Sequence, residues 1–210
     1  MALSRRYLAL AGLFAALVFA APAPSIADEI KLPEMLRSGG YVILLRHGPT
    51  SPATADGERN LNDAGKGMAM DFGDALRQMR VPIGKVLTSE LNRAYQTAAL
   101  AGFTVIEKIA DLNETSASMG KPADMEAGRN VTMVERSSRA AALRKMLGTE
   151  PDEGTNTILI THKPNIVDAL GEELADIKEG EAAIFRPHSG SYRLIARVQM
   201  DEWPHIAMAE

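Results

Sequence analysis

The sequence predicts an α/β protein, a three-layer αβα sandwich around a mostly parallel central sheet. Three observations point there. Short apolar runs alternate with longer segments of helical periodicity from about residue 41 to residue 198. That is the pattern of strands joined by helices that cover both faces of a sheet. No internal repeat is visible in the chain. The 183 residues from 28 to 210 suit one domain with a sizeable core.

Tyr41–Leu45 reads as the first strand. Asn62 is placed to cap a helix over Asp63–Met79, with Met68, Phe72, Ala75, Leu76 and Met79 along one face. Pro82 and Gly84 punctuate its end, and Lys85–Thr88 is a short second strand. Ser89 is expected to cap a helix running to Ala101 that buries Leu91, Tyr95 and Ala98. Phe103–Ile106 reads as a third strand, and Asp111–Arg129 as a long irregular segment. A helix over Val134–Leu147 ends before Gly148 and Pro151. Thr157–Thr161 is a strand with an apolar centre, and its helix starts near Pro164, a residue favoured in a first turn. Ala182–Phe185 and Tyr192–Val198 close the chain as two strands around a turn at Pro187–Gly190.

The amino-terminal segment 1–27 reads as a signal peptide ahead of a domain at 28–210. Arg5 and Arg6 precede an almost wholly apolar stretch, Leu8–Ala21, and Ser25-Ile26-Ala27 has the form of a cleavage site. An uncleaved anchor helix is the alternative. The stretch is short against the roughly 20 residues a bilayer span needs, and Pro22 and Pro24 break it. A periplasmic or secreted protein is therefore expected, with no stable membrane insertion after cleavage. Removing 1–27, which holds two arginines and no acids, takes the net charge from −4 to −6. An acidic chain is a poor nucleic-acid binder. With no Cys, there is neither a disulfide framework nor a thiolate nucleophile.

Chemistry concentrates at strand ends. The first strand runs into Arg46-His47-Gly48, and open α/β sheets bind ligands at their carboxyl edge. Arginine offers a rigid fork of donors for phosphate, and histidine can act as a nucleophile. Arg93 lies in the first turns of the helix after the second strand, and His162 follows the Thr157–Thr161 strand. A parallel sheet brings all three to one edge, beside a helix N-terminus that favours anions. The pocket so formed suits a phosphoryl dianion.

Three ordered blocks also resemble the histidine phosphatase superfamily, branch 1, the phosphoglycerate mutase-like fold. They are Leu45-Arg46-His47-Gly48, the segment Ser89–Ala98 with Arg93 ahead of Thr97-Ala98, and Leu159-Ile160-Thr161-His162. Leu61-Asn62-Asp63-Ala64-Gly65 resembles the family's helix entry. Gly154–Thr157, Asn165-Ile166 and Glu179–Pro187 make the chain most similar to exported, single-domain members. The resemblance implies a phosphomonoesterase in which His47 takes the phosphoryl group while Arg46, Arg93 and His162 hold its oxygens. A carboxylic acid would protonate the leaving oxygen and then activate water. Glu114 has the position for this, with Asp111, Asp124 and Glu126 as rivals in the same segment.

No metal or other cofactor is expected, because arginines supply the positive charge, and no His-x-x-x-His or carboxylate cluster marks a zinc site. Gly65-Lys66 lacks the upstream glycine of a nucleotide-binding loop, since Asn60 stands there. Thr50, Lys163 and Asn165 are candidates for substrate contact, with turn and helix-start roles as their alternatives. His188 and His205 read as surface residues. The expected partner is a phosphorylated small molecule or an envelope phosphosugar. A phosphoglycerate-mutase-type phosphotransferase and a catalytically silent phosphate-binding protein are the competing functions.

Overall fold

The computed structural model describes residues 26–55, 57–114 and 132–209. Six strands form one sheet in the order β3-β2-β4-β1-β5-β6. They are β1 (Val42–Arg46), β2 (Ile83–Thr88), β3 (Glu107–Lys108), β4 (Asn156–Thr161), β5 (Glu181–His188) and β6 (Ser191–Gln199). The first four are mutually parallel, and β5 and β6 run antiparallel to them. The sheet is thus mostly parallel, as expected.

Alternation along the strands assigns the two covering layers. Ile43, Leu45, Ile158, Ile160, Ala182 and Ile184 point to one face. There they pack with residues of α1 (Ile26–Ser38), α2 (Asp63–Gln78), α3 (Asn92–Leu100) and α6 (Trp203–Met208). Val42, Leu44, Leu159, Ala183 and Phe185 point to the other, against α4 (Met133–Leu147) and α5 (Lys163–Leu170). Three layers result.

Most elements follow the periodicity. Asn62 caps α2 by accepting the Gly65 N–H at 2.8 Å. Thr132 and Glu135 form a reciprocal capping box on α4. The β5–β6 turn is the two-residue Ser189-Gly190, both at positive φ (50° and 77°), the geometry a tight hairpin requires.

Local structure departs from the sequence pattern in several places. The third strand is Glu107–Lys108 rather than Phe103–Ile106, because only there does the backbone fall into register with Leu87 and Thr88. Ser89 does not cap α3. The helix starts three residues later, with Leu91 at its cap and no side-chain cap bond. Its buried face is Arg93, Ala94, Thr97 and Ala98, whereas Tyr95 is exposed with the Lys108 ammonium 4.4 Å over its ring. Two helices went unread: α1, which begins within the last two residues of the expected signal segment, and α6, which seats Trp203 edge-on against Phe72. The rest of that segment, 1–25, lies outside the described residues, as do Asp124 and Glu126.

Candidate active site

The site grows from strand register. Arg46 pairs with Thr161 across β1 and β4, so His47 and His162 leave adjacent strands at the same level. The His47 N–H donates to Thr161 O at 3.1 Å, and the Ser89 N–H to Ile160 O at 3.0 Å. The ends of β2, β4 and β1 therefore lie side by side. The imidazole centroids of His47 and His162 are 5.1 Å apart and tilted by 53°.

Close backbone packing holds β1 against α2 and α3. A Cβ on Gly65 would stand 2.1 Å from Pro49 O, so only glycine lets α2 approach the loop after His47. The Thr97 hydroxyl accepts the Gly48 N–H at 3.1 Å and donates to Arg93 O at 2.7 Å. One buried hydroxyl thereby ties the Arg-His-Gly turn to the helix that carries Arg93.

The ring nitrogens are assigned by their partners. His47 Nδ1 lies 2.8 Å from Gly48 O. A carbonyl can only accept, so Nδ1 carries the proton and Nε2 keeps its lone pair. Burial, partly opposed by the Gly48 carbonyl and aided by the charges of Arg93, Arg46 and Arg59, pushes the His47 pKa down to about 3. His162 is held well below its ordinary value, by burial first and then by Arg93 and His47. Its Nε2 meets the Ser89 hydroxyl at 2.7 Å, while Nδ1 is buried with no hydrogen-bond partner among the described residues.

Three guanidiniums surround the histidines. Arg93 is fully buried and pairs with the Glu114 carboxylate. Arg46 donates through Nη1 to Ile177 O at 2.9 Å, and its Nη2 lies 3.3 Å from Glu179. Arg59, from the loop between β1 and α2, bonds Thr50 Oγ1 and lies 3.7 Å from the same Glu179 oxygen. Sequence reading missed both Arg59 and Glu179. Arg59 stands two residues ahead of the Leu61-Asn62 helix entry, a signal that was available, and Glu179 heads a segment noted only for its likeness.

Glu114 ends a well-braced segment. Thr161 Oγ1 donates to Leu112 O at 2.8 Å, Asn165 Nδ2 to Asn113 O at 2.6 Å, and Arg139 Nη1 to the carbonyls of Asn113 and Glu114 at 3.2 Å each. The Asn113 side chain exchanges bonds with Glu90. Of the residues named from sequence, Arg46, His47, Arg93, Glu114 and His162 converge here. Thr50 joins through Arg59. Asn165 spends its amide on the Glu114 segment, and Lys163 opens α5 beside His162. Asp111 is exposed. Among the described residues, no group of three or more His, Asp or Glu side chains is arranged to hold a metal ion.

A sequence model of the histidine phosphatase superfamily (branch 1) matches residues 42–124. In solved structures the same architecture recurs. The protein histidine phosphatase SixA, complexed with tungstate, superposes with a TM-score of 0.54 at 20% identity, over 77% of this chain and 98% of that one. The chain has the histidine phosphatase fold. Phosphoserine phosphatase from Entamoeba histolytica, in complex with 3-phosphoglyceric acid, gives 0.53 at 15% identity, covering 76% and 98%. A mycobacterial glucosyl-3-phosphoglycerate phosphatase bound to VO3 gives 0.52 at 20%, covering 74% and 97%. At these identities the likeness is one of histidine phosphatase fold. No curated protein matches the chain in sequence.

Proposed function

We propose that the chain is an exported, metal-independent phosphomonoesterase that works through a phosphohistidine on His47. The observation that carries this reading is the Nδ1–H to Gly48 carbonyl bond, which leaves Nε2 as an unprotonated nucleophile among three guanidiniums. The Nε2 lone pair attacks phosphorus in line, and the bond from phosphorus to the ester oxygen breaks. Arg46, Arg93 and His162 hold the phosphoryl oxygens and the charge that spreads over them. Glu114, protonated, gives its proton to the leaving oxygen. As carboxylate it then takes a proton from water, whose oxygen attacks phosphorus. The P–N bond breaks, and Nε2 regains its lone pair.

The substrate class is a phosphorylated small molecule, with an envelope phosphosugar as a member that fits the proposed export through segment 1–27. Named relatives of the same fold include a phosphoserine phosphatase and a glucosyl-3-phosphoglycerate phosphatase, which supports monoester hydrolysis. The test is phosphate release by the purified chain in a chelator, from an alkyl phosphate and from 4-nitrophenyl phosphate. An alkoxide needs a proton to leave, whereas nitrophenolate does not. Glu114→Gln is therefore expected to slow the alkyl ester at least about tenfold more than the nitrophenyl ester. Equal, small effects would remove Glu114 from the role of acid. Activity that vanished in chelator and returned with one divalent ion would contradict the metal-free reading.

A further inference from the structure

Glu179 is an acid inside a site built for anions. Its Oε1 lies 3.3 Å from Arg46 Nη2 and 3.7 Å from Arg59 Nη2. The turn that carries it is tied down by backbone hydrogen bonds. The Gly180 N–H donates to the carbonyls of Arg46 at 3.2 Å and His47 at 2.9 Å, and Met200 N–H donates to Gly180 O at 2.8 Å. Gly180 sits at φ +75°, with Met68 and Met200 already in contact at the place of a Cβ. Glu181 closes the turn by accepting the Lys178 N–H at 2.8 Å and is itself held by Arg197. The carboxylate is thus pinned to the backbone of the residues whose side chains do the chemistry.

Its place is the wet side of the pocket. Arg93 is fully buried, whereas the side chains of Arg46, Glu179 and Arg59 are 19%, 28% and 36% exposed. A bound phosphoryl group would lie against His47 and Arg93, and the rest of the substrate would extend past the exposed rim. Three guanidiniums, two carboxylates and two neutral imidazoles leave a single net positive charge before substrate arrives. A phosphoryl dianion more than uses up that excess. A second negative group on the substrate would then meet the Glu179 carboxylate at the rim, where Arg46 and Arg59 already face that carboxylate.

We infer that Glu179 sets the charge of the leaving group: the site takes phosphoryl groups on neutral, hydroxyl-bearing alcohols or sugars and rejects those with an adjacent carboxylate or second phosphate. This rests on His47 being the phosphoryl acceptor. It deepens that reading by naming a substrate class and the residue that selects it.

Two three-carbon esters provide a matched test. Glycerol 3-phosphate has a neutral leaving group, and 3-phosphoglycerate carries a carboxylate in its place. The wild-type chain is expected to show kcat/KM at least about tenfold higher for glycerol 3-phosphate. Glu179→Gln, which keeps shape and removes charge, should narrow that ratio about tenfold, the equivalent of about 1.4 kcal/mol. Glu179→Asp, which keeps the charge, should retain the preference. A residue that merely braces Arg46 would lower both substrates together and leave the ratio alone. The inference is overturned if the wild type prefers 3-phosphoglycerate, or if the ratio stays within twofold in Glu179→Gln. Failure of the wild-type chain to hydrolyse either ester or 4-nitrophenyl phosphate would instead overturn the phosphomonoesterase reading, and this inference with it.

Discussion

His47→Ala is expected to abolish phosphate release, with kcat reduced by at least about four orders of magnitude on any monoester. The size follows from the role. The variant loses the atom that would bond to phosphorus in the proposed reaction, so electrostatic stabilisation alone cannot rescue the two-step path. The guanidiniums and His162 remain, so vanadate should still bind. The fold should survive and gain acid resistance. Folded His47 stays neutral down to about pH 3, whereas an unfolded histidine takes a proton near 6.5. Between those values the unfolded state binds the extra proton, and the wild type loses stability as pH falls, by up to about 1.4 kcal/mol per unit from this group. The variant lacks that slope, so urea midpoints at pH 7 and pH 5 should differ less than in the wild type. Retained activity in His47→Ala would sink the mechanism.

Arg93→Lys should cost about 2–4 kcal/mol in kcat/KM, the range seen when a preorganised donor is removed from the place where charge develops. Lysine keeps the charge but offers a single flexible point in place of a planar fork. Arg93 is fully buried, pairs with Glu114 and is bridged through Thr97 to the Gly48 N–H. A shorter ammonium there would loosen the phosphoryl group and the acid together. The effect should therefore appear in kcat as well as KM. A change confined to KM would mean that Arg93 helps substrate bind and does little for the transition state.

The parts of this site that were legible in the sequence are those set by strand ends. His47 and His162 each follow an apolar run, and parallel pairing of β1 with β4 places them together without further information. Arg93 was legible because the helix after β2 starts at the same edge. What stayed hidden depends on loops and on partners far along the chain. Ser89 looked like a helix cap, but its hydroxyl serves His162, 73 residues away. Arg59 and Glu179 meet only because the loop after β1 and the turn before β5 fold over one strand end. Asn165 lies beside His162, and its amide also holds Asn113, a bond that no local pattern announces. The third strand escaped for a related reason. Phe103–Ile106 has the apolar content, but an edge strand of two residues is set by its neighbour's register and carries no period of its own.

In the proposed reaction the phosphoryl group rests on His47 between the two half-reactions. The most direct measurement is rapid acid-free quenching of the chain with a substrate labelled on phosphorus, followed by peptide mapping of the label. The expected label is labile in acid and stable in alkali, confined to the peptide with Arg46-His47-Gly48, absent in His47→Ala and longer-lived in Glu114→Gln. Label on a serine, on a carboxylate or on His162 would contradict it.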